Sequence, residues 1–203
     1  MLGDLVGPAI GIAASPFPVI PAILLLFTAR PRATGLSFLA GWSVGVLLAT
    51  TVFVVLATFV EVSEETPAWA SWSRLVLGAV LLVLGVSRWR HRSEKTETPT
   101  WMAALDDATP GSALRLGFLL SAANPKILLL AAAAGIAIGS AELSAADTAL
   151  AITTVTVVGS LSVALPVVLF VVRGDRMLEP LGRARDWLER NNAAVMAVVI
   201  TVI

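Results

Sequence analysis

The chain has 203 residues, of which 57% are hydrophobic and 14% are charged, and its 14 basic residues balance its 14 acidic ones. A soluble domain carries about 25% charged residues, so this composition excludes an ordinary water-soluble protein and predicts an all-α, polytopic membrane protein. The chain has no cysteine, which excludes disulfides and thiolate metal sites. The single histidine, His91, lies in a basic run without the neighbours of a metal site. We expect no enzymatic activity, no cofactor and no nucleic-acid partner.

Apolar segments recur along the chain, and about 20 residues of helix are enough to cross the hydrocarbon core of a bilayer. A sixth predicted span begins at residue 191 and has only 13 residues left, so we expect it to be truncated. Pro166 predicts a break in the fifth span, and the amphipathic residues 177–190 predict an interfacial helix. The first five predicted spans are residues 5–29, a stretch within 33–60, 69–88, 116–141 and 148–172.

The connecting segments alternate in charge. Arginines and lysines concentrate between spans 1 and 2, 3 and 4, and 5 and 6. The segment between spans 2 and 3 instead carries Glu61, Glu64 and Glu65, and the segment between spans 4 and 5 carries Glu142 and Asp147. The positive-inside rule therefore places both termini outside (N-out, C-out). The predicted organisation is a first three-helix repeat (residues 1–88), a cytoplasmic loop with a short interfacial helix (89–112) and a second three-helix repeat (113–203).

One four-residue phrase occurs twice: residues 13–16 read Ala-Ala-Ser-Pro, and residues 122–125 read Ala-Ala-Asn-Pro. Proline inside an apolar helix frees a carbonyl, which in lipid must find another partner or line a cavity. Because three spans separate the phrases, the second copy is inverted relative to the first, an arrangement that serves alternating access. We predict six transmembrane helices in two inverted repeats, with disrupted helices at Ser15, Pro16, Phe17 and Pro18 and at Asn124 and Pro125.

Lys126 directly follows the second phrase and is the charge that lies well inside a predicted span. A lysine at the bilayer centre costs roughly 2.5–3.5 kcal/mol on insertion scales, and no acidic residue lies at a comparable depth. Three fates stay open: the amine reaches the interface, loses its charge, or faces a hydrated cavity that accepts an anionic substrate group. We favour the last, with the Asn124 side chain offering hydrogen bonds to the same ligand.

Other side chains within the spans carry weaker signals. Gly-xxx-Gly pairs that begin at Gly7, Gly41 and Gly135 predict close helix contacts. Trp42 is the tryptophan that interfacial anchoring does not explain, so it stays a candidate for substrate contact. Hydroxyl groups within the spans are expected to bond to their own helix backbone: those of Thr50, Thr51, Thr153, Thr154, Thr156, Ser160 and Ser162.

The pattern resembles the lysine-exporter (LysE) superfamily. The resemblance is carried by the Ser-Pro-Phe-Pro of residues 15–18, the glycines of span 2, Gly78 and Gly85 in span 3, and Gly117 with the Asn-Pro-Lys of residues 124–126. Within that superfamily the chain is most similar to the GAP family of glycopeptidolipid- and sulfolipid-addressing proteins, in residues 99–110 and 187–196. This resemblance implies inverted repeats and a role in moving envelope lipids to the cell surface. Amino-acid exporters of the superfamily usually carry glycine where Phe17 stands, which favours a bulkier, more apolar substrate.

The leading hypothesis is a transporter in the bacterial cytoplasmic membrane that exports or flips an anionic or glycosylated envelope lipid by alternating access. Its partners would be the lipid substrate, the bilayer, and either further copies of the chain or a larger lipid-export complex. Two alternatives stay open: a small-solute exporter for an amino acid or ion, and a non-transporting assembly subunit of a lipid-export complex.

Overall fold

The computed structural model describes residues 2–15, 17–59, 108–141 and 143–190. Regular structure within these ranges is helical, which confirms the all-α class for the described residues. Span 3, the loop helix near residues 99–105, the sixth span and Pro16 lie outside them. The described helices are α1 (Leu2–Ala13), α2 (Val19–Leu24), α3 (Pro31–Phe59), α4 (Pro110–Ala122), α5 (Pro125–Gly139), α6 (Ala145–Arg173) and α7 (Leu178–Arg190), with 3-10 turns at Leu25–Phe27 and Gly174–Met177.

Two of these helices are long and apolar enough to cross a membrane, α3 over Pro31–Ala57 and α6 over Ala145–Arg173. Helices α4 and α5 pass the same test as a pair bent by 62°, so the described residues hold two or three candidate spans. Large apolar side chains on the outside of the helices are exposed, as in Leu129 (62%) and Leu165 (62%). Such a surface is favourable in contact with lipid and unfavourable in contact with water, so the chain is a membrane protein.

The start of α4 is fixed by a reciprocal cap. Thr109 Oγ1 accepts from the Ser112 backbone amide, and Ser112 Oγ accepts from the Thr109 amide. Pro110 occupies the first turn, where a missing amide hydrogen costs nothing. Helix α4 therefore begins six residues before the predicted span, which started at residue 116, and Arg115 lies inside the helix rather than in the preceding loop.

Pro166 does not break α6, so that expectation was wrong. Helix α6 is continuous from Ala145 to Arg173, with Pro166 buried inside it. A proline there leaves the carbonyl of Ser162 without its usual donor. The flanking residues Val163 and Val167 are fully buried, and the burial of this apolar face outweighs the loss of one hydrogen bond.

Helix α3 packs along α4 and α5 and runs in the same direction as both. Gly41 lies against the backbone carbonyl of Leu114, and Gly135 lies against the backbone of Phe53. A methyl group at either glycine would overlap with the facing helix. The pairs that begin at Gly41 and Gly135 thus make the predicted close contacts.

Helix α6 runs opposite to α3. Gly35, near the start of α3, lies close to Val167 near the end of α6. Further along α3, Ser43 Oγ donates to Ser160 Oγ at 3.2 Å.

The first broken segment, formed by α1 and α2, runs in the direction of α6. Ile12 contacts Gly159 of α6. Ile23 and Leu26 pack in one cluster with Phe170, which lies eleven residues further along α6. These directions match those expected for spans 1, 2, 4 and 5. The inverted repeat as a whole also involves spans 3 and 6, which the structure does not describe.

Arginines concentrate at one end of the described bundle. Those with described side chains are exposed where α3 and α4 begin and α6 ends: Arg30, Arg32, Arg115, Arg173, Arg176 and Arg183. Glu179 and Asp186 are exposed at the same end, and Asp147 is exposed at the opposite end, where α6 begins. The concentration of arginines agrees with a cytoplasmic location of that end.

Candidate substrate site between the broken helices

The first break comprises residues 14–18, between the end of α1 and the start of α2. The last turn of α1 closes with bonds from the Ala14 amide to the Ile10 carbonyl (2.7 Å) and from the Ser15 amide to the Ile12 carbonyl (3.2 Å). Ser15 is 2% exposed, and no side chain caps α2. The predicted disruption is confirmed at Ser15, Phe17 and Pro18, whereas Pro16 lies outside the described residues. Phe17 is half-buried and Pro18 is buried.

The second break lies between α4 and α5 and comprises residues 123 and 124. Asn124 Oδ1 accepts from the Lys126 backbone amide at 3.0 Å, and Pro125 occupies the first helical position. Asn followed by Pro is therefore a helix start placed inside an apolar segment. The predicted break is confirmed, and the axes of α4 and α5 differ by 62°. Because the cap uses Oδ1, the NH₂ group of Asn124 is left to donate hydrogen bonds to a ligand.

Lys126 lies in the first turn of α5 and is half-buried. No carboxylate in the described part of the chain forms an ion pair with it, whereas Arg183 and Glu179 form one at 3.8 Å on the surface. The start of a helix is itself electropositive. An anion beside Lys126 would therefore interact favourably with the ammonium, the Asn124 NH₂ group and the helix start together.

The two breaks lie at neighbouring levels of the bundle. Gly11, two residues before the end of α1, lies against Leu130; a Cβ atom at Gly11 would be 3.1 Å from Leu130 Cδ1. Leu130 follows the start of α5 by five residues, or about 7 Å of helix. Because the first broken segment and α5 run in opposite directions, the end of α1 approaches the start of α5. Nothing in the sequence around Leu130 predicts this contact.

The sequence profile of the family described as "Sap, sulfolipid-1-addressing protein" matches residues 5–203, a range that contains both breaks. The chain belongs to the sulfolipid-1-addressing protein family. No curated protein and no solved structure matches the chain. The resemblance to sulfolipid-addressing proteins is thus confirmed, while membership of the wider lysine-exporter superfamily stays a prediction.

Of the seven hydroxyl groups that were expected to bond to their own helix backbone, most do so in this member of the sulfolipid-1-addressing family. Four threonines donate to the carbonyl one turn back, and Ser160 instead accepts from Ser43. Thr50 and Ser162 depart from the prediction, because their buried oxygens have no partner among the described residues. The four that follow it are Thr51, Thr153, Thr154 and Thr156.

Trp42 is the largest fully buried side chain in the described structure. Its indole Nε1–H finds no acceptor in the described ranges. Its burial agrees with the expectation that Trp42 is not an interfacial anchor. Within the same ranges, no group of three or more His, Asp or Glu side chains could hold a metal ion.

Proposed function

We propose that this protein exports or flips an anionic, sulfated or glycosylated envelope lipid across the bacterial cytoplasmic membrane. The description of its family points to a sulfolipid. The observation that carries the proposal is the pair of breaks at neighbouring levels, with Lys126 beside the second. Broken helices at the centre of a membrane bundle are where transporters built from inverted repeats bind their substrates.

Lys126 would bind the sulfate or other anionic group of the lipid. An ammonium without a protein carboxylate is unfavourable in lipid, and the arrival of an anion relieves that cost. The NH₂ group of Asn124 would add a hydrogen bond to the anion, and the start of α5 would add its positive dipole end. The outer helix faces expose apolar side chains, so the acyl chains of the substrate would lie along them within the bilayer.

The first break would act as the hinge of alternating access. Helix α1 contacts α5 and α6, whereas α2 contacts α3, α6 and α7, so the break separates two differently anchored pieces. Thr28 and Thr34 both donate to the Leu25 carbonyl at 2.9 Å, which ties the end of α2 to the start of α3. The break lies outside both helices, so bending there would move α2 relative to α1 without breaking the hydrogen bonds of either helix.

A flux assay in proteoliposomes tests the function. A labelled sulfated glycolipid is placed in one leaflet, and a zwitterionic lipid with the same chains serves as the control. We expect protein-dependent translocation of the sulfated lipid at a much higher rate than that of the control. If efflux of an amino acid or ion occurs instead, the protein is a small-solute exporter and the proposal is wrong.

The assembly-subunit alternative makes a different prediction. A non-transporting subunit would translocate neither lipid when reconstituted alone, and it would co-purify with a large lipid exporter from native membranes. That combination of results would also overturn the proposal. Comparison of envelope lipids from cells with and without the protein would then identify the lipid that depends on it.

A further inference from the structure

We infer that one face of α3, defined by Trp42, Val46 and Thr50 and called the indole face below, binds the neutral carbonyl groups that link acyl chains to the lipid. Lys126 would bind the anionic group of the same molecule. The inference rests on the proposed function and deepens it, because it assigns a second part of the substrate to a second set of residues.

The indole face carries two buried polar groups that find no hydrogen-bond partner among the described residues. Trp42 and Thr50 are both 0% exposed, and neither Trp42 Nε1 nor Thr50 Oγ1 has a hydrogen-bond partner in the described part of the chain. A buried donor without an acceptor is unfavourable, and more so where no water is at hand. The neighbouring Thr51 shows the ordinary alternative, since its hydroxyl donates to the Leu47 carbonyl at 2.8 Å.

Trp42 points into the wedge between α4 and α6. The residue before it, Gly41, contacts α4 at Leu114, and the residue after it, Ser43, bonds to Ser160 of α6. Successive helical residues are about 100° apart, so the side chain between these two directions faces the bundle interior.

Contacts through α6 place Trp42 at the level of the first break. Ser160, the α6 partner of Ser43, follows Gly159, and Gly159 contacts Ile12 near the end of α1. The helix end at which the first break begins is therefore level with Trp42 along α6.

Thr50 lies just beyond the level of the second break. Gly45 contacts Ser121 two residues before that break, and Phe53 contacts Gly135 well beyond it. Thr50 falls between these two contacts along α3. The indole face therefore runs for about 12 Å of helix from the level of the first break to a point beyond the second.

The chemistry of the indole face selects a neutral acceptor. Val46 separates the two polar groups, and Phe38 and Val54 continue the same apolar stripe; all three are buried. A charged group would be poorly solvated beside these side chains. An indole N–H can only donate, and a threonine hydroxyl can donate, so the ligand atom that fits is an ester or amide carbonyl oxygen.

The test compares an anionic lipid that has ester-linked chains with an ether-linked lipid of the same headgroup and chain length. Binding to the purified full chain in detergent is measured by native mass spectrometry. We expect the wild type to bind the ester lipid about five- to tenfold more tightly, the combined effect of hydrogen bonds from Trp42 and Thr50. Trp42→Phe, which keeps an aromatic ring and removes the N–H, should lower this ratio by about two- to threefold.

Thr50→Val provides a second variant that keeps the shape of the side chain, with Thr51→Val as its matched control. We expect Thr50→Val to lower the ester preference and Thr51→Val to leave it unchanged. A wild type that binds the ester and ether lipids equally overturns this inference alone. An unchanged ester preference in both Trp42→Phe and Thr50→Val overturns it too. A wild type that binds neither lipid overturns the proposed function together with the inference.

Discussion

The two breaks come from nearly the same four residues, yet they are built differently. The first spans residues 14–18, has no capping side chain at α2 and buries Ser15 almost completely. The second is two residues long, is capped by Asn124 and carries a half-buried Lys126. The phrases differ at one position, where Ser15 corresponds to Asn124. We infer that the first break is suited to bending and the second to binding.

The prolines explain part of this difference. Residues 16, 18 and 21 of the first segment are all proline, and three prolines within six residues exclude a regular helix. In the second segment, Pro125 stands at the first helical position, where proline is compatible with the helix that follows. The second segment is also held against α3, because Gly117 lies against the Phe38 carbonyl and Gly135 against the Phe53 backbone.

The largest expected effect on stability comes from the contact that holds the second segment in place. Gly117→Ala should lower the free energy of unfolding by about 1–3 kcal/mol, because its methyl group would overlap with the Phe38 carbonyl of α3. Thermal unfolding in detergent checks this change. Gly7→Ala is the matched control: a Cβ atom there meets nothing within 4 Å, so helix propensity should stabilise the protein by about 0.5–1 kcal/mol. Equal effects of the two substitutions would contradict the packing of α4 on α3.

Loss of the Asn124 cap should have an intermediate effect. Asn124→Ala removes the acceptor of the Lys126 amide and should cost about 0.5–2 kcal/mol of stability, whereas Asn124→Ser keeps a capping oxygen and should cost less. The same unfolding measurement compares the two variants. Indistinguishable stabilities of the Ala and Ser variants would show that Asn124 does not act as a cap.

The smallest effect is expected at Pro125. Pro125→Ala leaves the Asn124 cap in place and substitutes a good helix former, so stability should change by less than about 0.5 kcal/mol. Thermal unfolding in detergent measures this change in stability. A large change would mean that proline, rather than the cap, sets the second break, and the contrast with the first break would be lost.

The sequence alone predicted the features that depend on local chemistry. Apolar length located α3 and α6, and the prolines located both breaks. An Asn-Pro pair is also a local helix-start signal, so the capping role of Asn124 could have been predicted. The early start of α4 at Pro110 escaped prediction, because hydropathy marks the apolar part of a helix rather than its capped end.

Other features depend on which helices pack against each other, and neighbouring residues in the sequence do not predict such contacts. Pro166 stays inside α6 because Val163 and Val167 are buried by neighbouring helices. The contact between Gly11 and Leu130 likewise arises from packing between distant segments, as does the burial of the Trp42 N–H away from any acceptor in the described ranges. Spans 3 and 6 fall outside the described residues, so the inverted repeat stays a prediction.

The proposed role of the Lys126 ammonium is to bind the anionic group of a transported lipid. Its most direct test is the initial rate of sulfated-lipid translocation in proteoliposomes for the wild type, Lys126→Arg and Lys126→Met. We predict that Lys126→Met slows this rate by about tenfold or more, the effect of a lost charge-assisted hydrogen bond, while Lys126→Arg retains most of it. Translocation by Lys126→Met at the wild-type rate would contradict the claim.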